Sequence, residues 1–137
     1  MNLLTLLDSD FASVCMSMAN GSLVDVKFKN EASVCKYVVP KGYGSNPAND
    51  ATLIVNDSYK EHSDLYYAAV NVNDSGDITT TSSRAAAIVS TGHDIGIAES
   101  RCESGLSYIS GNNIFVRHDI AKPHLIDKRI QNMESIR

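Results

Sequence analysis

Hydrophobic residues recur at helical spacing in three segments of the chain. The first segment follows Asp8 or Ser9, either of which can cap a helix, and its apolar positions obey the i, i+3, i+4, i+7 rule. The second is predicted over residues 94–111, and the third begins at Pro123, a residue suited to the first turn of a helix. The positions predicted to face inward on the third helix are Leu125, Ile126, Ile130 and Met133.

Alternating apolar and polar residues predict β-strands between these helices. Val24, Val26 and Phe28 alternate with charged residues, and a short turn separates them from an apolar strand over residues 32–39. These two segments are therefore predicted to form a hairpin. Further strands are predicted over residues 52–55, 65–72, 78–89 and 114–116. A turn over residues 73–77 joins two of them, which indicates an antiparallel sheet.

The order of these elements predicts an α+β fold, namely a small antiparallel β-sheet domain with flanking helices. Because the chain carries no internal repeat or low-complexity tract, we divide it only at Gly21. Residues 1–21 form a terminal segment with a helix, and residues 22–137 form the domain. A loop rich in Gly, Pro and Asn is predicted over residues 40–50, either as a solvated connection or as a binding loop.

Composition narrows the classes of partner. The 137 residues are 43% hydrophobic and 20% charged, which is typical of a folded globular domain. A formal net charge of −4 gives no basic surface, so neither nucleic acid nor a membrane is expected as a partner. The apolar start of the chain is too short to span a bilayer. Cys15, Cys35 and Cys102 are odd in number and far apart, which argues against disulfides and a zinc cluster and fits a cytoplasmic location.

Two short segments carry candidate chemistry, although the common phosphate-binding, zinc and nucleophile motifs are absent. Arg117-His118-Asp119 has groups for acid–base work, but neighbouring residues of a strand point to opposite faces, which favours a structural or solvated role. Residues 79–84 combine small hydroxyl groups with Arg84, a set that can hold a phosphate or carboxylate or can form the edge of a sheet. The other histidines share no ligand spacing with the cysteines, so no metal site is expected.

Four stretches together indicate a family. Residues 1–10 resemble a segment that follows a Gly-Asp-Pro-Glu motif, and residues 32–43 read ASVCKYVVPKGY, similar to an archaeal-type strand and loop. Residues 82–84 match a [GS][GS]R turn before a hydrophobic strand, and residues 115–130 resemble a [RH][KH]DI turn followed by a KRI helix, with Ala121 in place of the usual Gly. In this order they resemble the C-terminal portion of glycinamide ribonucleotide synthetases, the phosphoribosylamine–glycine ligases of the ATP-grasp superfamily.

The resemblance implies an enzyme that joins phosphoribosylamine to glycine and uses ATP and Mg²⁺. Residues 1–21 would be the terminal segment and helix of its ATP-grasp domain, and residues 22–137 would be the C-terminal domain that closes one side of the substrate cleft. In such ligases the metal ligands precede the Gly-Asp-Pro-Glu motif, so no cofactor is expected on this chain. Its N-terminal and ATP-grasp domains would then be partners, and the chain alone is expected to be inactive.

The resemblance also implies where substrate binds. Arg84, with Ser82 and Ser83, is expected near the phosphoribosylamine or glycine site, and Lys41 is a second candidate. No catalytic residue is expected on this chain.

Alternative origins stay open at this point. The chain is predicted to be an expression fragment, or the product of a shortened or split gene that complements a separate ATP-grasp chain. It is alternatively a stand-alone binding module that kept the fold, or a remnant that self-associates through an exposed apolar strip formed by Leu3, Leu4, Leu6 and Leu7.

Overall fold

The computed structural model describes residues 2–23 and 25–136. Its helices are α1 (Asn2–Thr5), α2 (Phe11–Ala19), a short 3-10 helix (Asp57–Glu61), α3 (Ile95–Leu106) and α4 (Pro123–Ile136). Its strands are β1 (Ala32–Pro40), β2 (Thr52–Val55), β3 (Asp64–Tyr67), β4 (Val70–Val72), β5 (Ile78–Thr80), β6 (Ala86–Gly92), β7 (Ile109–Ser110) and β8 (Ile114–Val116).

The strands form two antiparallel sheets, which confirms the predicted α+β class. One sheet has the order β3-β6-β1-β8 and the other has the order β4-β5-β2-β7. In the first sheet, β6 pairs with β1 over the full length of β6, from Ala32 opposite Gly92 to Val38 opposite Ala86. Helix α3 packs across these two central strands and buries the main apolar cluster. Its members include Val34, Val38, Ile88, Ala98, Cys102 and Leu106.

The strands predicted over residues 65–72 and 78–89 are each broken into two. Strands β3 and β6 lie in the first sheet, whereas β4 and β5 lie in the second. The two backbones stay bonded where they cross between the sheets, since the Ala68 N–H donates to the Ala85 carbonyl over 2.8 Å. One long bent hairpin is therefore shared by both sheets, and its second strand carries three extra residues at the bend, since Tyr67 lies opposite Ala86 whereas Val70 lies opposite Thr80.

The hairpin predicted between residues 24–29 and β1 is wrong. Phe28 makes an isolated bridge to Leu7, and Val24 lies outside the described residues. Strand β1 instead pairs with β6 on one side and with β8 on the other. Because β1 is apolar along most of its length, a central position with a hydrogen-bonded strand along each edge stabilises it more than pairing with a charged segment at the edge of a sheet.

Helix α3 begins where predicted but ends earlier. The Asp94 carboxylate accepts a hydrogen bond from the Ile97 N–H at 2.8 Å and caps the first turn. The helix ends at Leu106 rather than at Gly111. The residues that follow form β7, which pairs with β2, so sheet pairing outweighs the helical pattern of this segment.

The N-terminal segment is tied to residues 27–29. The first long helix is capped by Asp10 rather than by Asp8 or Ser9, through a hydrogen bond of 2.7 Å from the Ser13 N–H. The Lys29 N–H donates to the Leu6 carbonyl over 2.8 Å. The division of the chain at Gly21 stays a prediction.

Two apolar strips face solvent in the part of the chain that the structure describes. Helix α4 begins at Pro123 as predicted, but its side chains predicted to face inward are only half-buried (Leu125 and Ile126) or exposed (Ile130 and Met133). The reason is that no other helix or strand packs extensively against α4 in the described part of the chain. In the N-terminal strip, Leu3 and Leu4 are exposed and Leu6 and Leu7 are half-buried, and self-association through these four leucines stays a prediction.

Candidate functional site

One cavity brings together two of the predicted site residues. Lys41 and Arg84 both line an open cavity of about 500 Å³ at the end of the first sheet. Its wall is formed mainly by apolar and aromatic side chains, including Tyr37, Val39, Tyr43 and Phe115. We call this space the cationic pocket.

Ser82 and Ser83 do not line the cationic pocket. Both are exposed in the bend before β6, and the Ser83 N–H donates to the hydroxyl of Thr81 over 3.2 Å. The bend thus places Arg84, but not the two serines, on the wall of the pocket.

Arg84 is oriented by an aromatic ring. Its guanidinium carbon lies 4.9 Å from the centroid of the Tyr37 ring, within the range of a cation–π interaction. Stacking engages the flat face of the guanidinium and leaves its N–H edge available to an acceptor. The backbone of Arg84 is fixed as well, because its carbonyl accepts a hydrogen bond of 3.0 Å from the Ala69 N–H.

Sequence reasoning missed Arg117 as a member of this pocket. Arg117 also lines the pocket, directly after β8, and donates two hydrogen bonds to Asp119, of 2.9 Å from Nε and 2.5 Å from Nη2. These bonds from Arg117 lower the pKa of Asp119, so the pair stays ionised and neutral in sum. Lys41 and Arg84 therefore leave the pocket with two uncompensated positive charges, since no acidic side chain of the described residues lines it.

The loop that carries Lys41 is held by its own backbone. The Lys41 N–H donates to the Asn113 carbonyl over 2.7 Å, and the Lys41 carbonyl accepts from the Ala48 N–H over 2.8 Å. Gly42 adopts a left-handed φ of 80°, and a Cβ there would lie 2.2 Å from the carbonyl oxygen of Asn46. Glycine is required at this turn, which directs the chain along the rim of the pocket.

A buried charge cluster lies behind the pocket. The side chain of Lys36 is 0% exposed, and its ammonium donates to Glu99 over 2.8 Å, to Glu103, and to the His118 carbonyl over 3.0 Å. Glu99 also pairs with Lys122 at 2.7 Å. We call these five residues the buried charge cluster.

Burial and pairing act in opposite directions on the pKa values of this cluster. Burial alone would lower the pKa of Lys36, but hydrogen bonds to Glu103 and Glu99 outweigh it, so the pKa is raised. Burial alone would raise the pKa of both glutamates, yet their cationic partners bring both values below the ordinary range. Lys36, Glu99 and Glu103 are therefore all charged at neutral pH.

The three residues considered for acid–base chemistry, Arg117, His118 and Asp119, do not form one hydrogen-bonded group. The Nδ1 atom of His118 lies 2.9 Å from the Glu103 carboxylate, whereas Asp119 is bound to Arg117. His118 and Asp119 thus face different groups, in line with the structural role that strand geometry favours.

Ala121, in the turn after β8, adopts a left-handed φ of 66°. For a residue with a Cβ this conformation costs roughly 1–2 kcal/mol. We expect Ala121→Gly to raise the free energy of unfolding by about 1 kcal/mol, measured by urea denaturation. Ala48→Gly is the control, since Ala48 has no left-handed φ and its change to glycine should lower stability. A loss of stability in both variants would contradict the strain at Ala121.

The described residues also limit two other classes of site. Across residues 2–23 and 25–136, no group of three or more His, Cys, Asp or Glu side chains is placed to hold a metal ion. Within the same ranges, no helix is long and apolar enough to cross a membrane.

Comparisons with known proteins agree on one family. The model of the family described as phosphoribosylglycinamide synthetase, C domain, matches residues 33–123. Phosphoribosylamine–glycine ligases from Methanocella arvoryzae and Methanocaldococcus jannaschii are 47% and 43% identical, over all of this chain and 31% of their own length. The chain thus spans about a third of the curated relatives it matches. In the solved structures, the Thermotoga maritima phosphoribosylamine–glycine ligase shares the fold, with a TM-score of 0.70 at 18% identity over 86% of this chain and 29% of that one.

Proposed function

Because the chain belongs to the phosphoribosylglycinamide synthetase C domain family, we propose that it forms the substrate-facing C-terminal part of a ligase that joins phosphoribosylamine to glycine. The resemblance read from its sequence, to the C-terminal portion of these ligases in archaeal form, is confirmed by the family match and by the archaeal relatives. We also propose that the whole ligase acts in purine synthesis and that it is located in the cytoplasm.

The observation that carries the proposal is the convergence of Lys41 and Arg84 in the cationic pocket. Two uncompensated positive charges match a phosphate monoester, which carries close to two negative charges at neutral pH, better than they match a single carboxylate. We therefore assign the pocket to the phosphate group of phosphoribosylamine rather than to glycine. Because Ser82 and Ser83 lie off the wall, the proposed contacts are those of Lys41 and Arg84.

The cofactors of such a ligase do not fit the described residues. Mg²⁺ bound to nucleotide phosphates requires carboxylate or amide oxygens arranged around it, and no acidic cluster of that kind is present in residues 2–23 and 25–136. ATP and Mg²⁺ are thus proposed to bind another part of the ligase, with which this chain would act. We expect the chain to be inactive without that part.

The assignment predicts a phosphate site that depends on Arg84. Ribose 5-phosphate titrated into the 137-residue chain should shift the amide NMR signals of the Lys41 loop. Arg84→Gln should weaken its apparent affinity about tenfold, because one charge-assisted hydrogen-bond donor is lost. Arg101→Gln is the matched control, since Arg101 lies on α3 and outside the pocket. Equal affinity in the two variants, or no binding by the unaltered chain, would refute the assignment.

A further inference from the structure

The turn between β8 and α4 forms one wall of the cationic pocket. It contributes Arg117 and Ile120 to the lining, and it also contains the left-handed Ala121. A strained residue of this kind persists only where the surrounding structure holds it. The contacts that hold this turn therefore decide where the guanidinium of Arg117 lies.

The buried charge cluster holds the turn at both of its ends. At the first end, the His118 carbonyl accepts from Lys36 over 3.0 Å and the His118 ring contacts Glu103 at 2.9 Å. At the second end, Lys122 pairs with Glu99 at 2.7 Å. The two glutamates stand one helical turn apart on α3, so one rigid helix fixes both ends of the turn.

Burial of these ion pairs holds the turn in one position. The side chain of Lys36 is fully buried and that of Glu99 is 10% exposed, so neither charge can exchange its partner for water without opening the fold. An exposed ion pair of the same length would fluctuate freely and would fix little. The cluster thus transmits the position of α3 and β1 to the turn.

Arg84 is held by contacts outside the buried charge cluster. Its guanidinium stacks on the Tyr37 ring, its carbonyl accepts from the Ala69 N–H over 3.0 Å, and within the described residues no hydrogen bond or ion pair joins Arg84 to the cluster. A change in the cluster is therefore expected to move Arg117 and to leave Arg84 in place.

We propose that Lys36 and Glu103 are positioning residues of the cationic pocket, which hold the turn after β8 so that Arg117 reaches the same anion as Arg84. The identity of the anion rests on the proposed function, whereas the placement of Arg117 does not depend on any ligand. Within the same turn, the Asp119 carboxylate accepts two hydrogen bonds from the Arg117 guanidinium, of 2.9 Å and 2.5 Å.

The first test follows Arg117 without ligand. In the unaltered chain the Nε–H of Arg117 donates to Asp119 at 2.9 Å, so the nitrogen-15 chemical shift of Nε and the exchange rate of its proton report on that hydrogen bond. Glu103→Ala should shift this signal and speed its exchange at least several-fold, Glu103→Gln should give an intermediate result because it keeps an acceptor for Lys36, and the exposed Glu61→Ala should leave it unchanged. Side-chain signals of Arg101 report on α3 itself and should stay constant. An unchanged Arg117 signal in both Glu103 variants would overturn the proposal.

The second test uses ribose 5-phosphate and a double-mutant cycle. Glu103→Ala should weaken binding roughly as much as Arg117→Gln does, and the two changes together should weaken it no further. Glu103→Ala combined with Arg84→Gln should give the product of the two separate losses. Additive effects of Glu103→Ala and Arg117→Gln would overturn the positioning role. If the unaltered chain binds no ribose 5-phosphate, the phosphate assignment fails, and the Arg117 signal still decides the positioning role. If Glu103→Ala does not fold, Glu103→Gln provides the same comparisons.

Discussion

Replacing Lys36 with methionine is expected to lower the free energy of unfolding by about 3–5 kcal/mol, the usual cost of removing one partner from a buried ion pair. Methionine has a similar length, so the main loss is the charge that compensates Glu99 and Glu103. Urea denaturation at neutral pH measures the change. Lys60→Met is the control, because the Lys60 side chain is 61% exposed in its pair with Asp57 and its replacement should change stability little.

The effect of Lys36→Met should depend on pH in a defined direction. The pKa values of Glu99 and Glu103 lie below the ordinary 4.5, so their stabilising contribution is present above that value and is lost as the pH falls through the lowered pKa. In the methionine variant the part of this contribution that Lys36 supplies is absent, whereas the parts from Lys122 and His118 remain. The difference in stability between the two proteins should thus narrow below about pH 4.5. A difference that stays constant down to pH 3 would show that it arises from packing and not from charge.

Gly42→Ala is expected to have the second largest effect, because two costs coincide at this position. The left-handed φ of 80° penalises any Cβ, and that Cβ would also meet the Asn46 carbonyl oxygen at 2.2 Å. Strain of roughly 1–2 kcal/mol and overpacking of about 1–3 kcal/mol should together destabilise the chain by about 3 kcal/mol. The same shift of the loop should displace Lys41 and weaken the binding of ribose 5-phosphate.

Gly44→Ala separates the two costs. Gly44 has a similar φ of 91°, but no atom lies within 4 Å of the position that its Cβ would take. It should therefore show the strain alone, about 1 kcal/mol, with little change in binding. If both variants lose the same stability, the close approach of Gly42 to Asn46 contributes nothing.

Local signals in the sequence predicted the elements whose ends are set by a single residue. The cap at Asp94, the proline that opens α4 and the turn over residues 73–77 were all placed correctly. Elements whose ends depend on partners elsewhere in the chain were not. The register of the bent hairpin shifts where it crosses between the sheets, and the end of α3 is decided by pairing with β2, so neither could be predicted from neighbouring residues.

Only some residues of the cationic pocket were predicted from the sequence, for the same reason. Arg84 and Lys41 were identified as candidates from residue type and family resemblance, and the structure places both on one cavity. Arg117 was grouped with His118 and Asp119 as a candidate for acid–base chemistry. Its neighbours in the sequence do not indicate that the pairing of β8 with β1 places Arg117 on the wall of the cationic pocket. Lys36 did leave a signal, since it lies between Val34 and Val38 at the spacing that directs all three side chains to the same buried face.

The position of Lys36 on the buried face of β1 also affects which alignment of β1 and β6 the chain adopts. A strand slipped by two residues keeps its apolar face toward the core, so hydrophobicity alone discriminates poorly between the native alignment of β1 and β6 and its nearest alternatives. A slip of that size would put valine against Glu99 and Glu103 and would carry the ammonium of Lys36 to an apolar site without acceptors. Lys36 therefore specifies the native alignment of β1 with β6, because each misaligned alternative leaves its ammonium and the two carboxylates without partners.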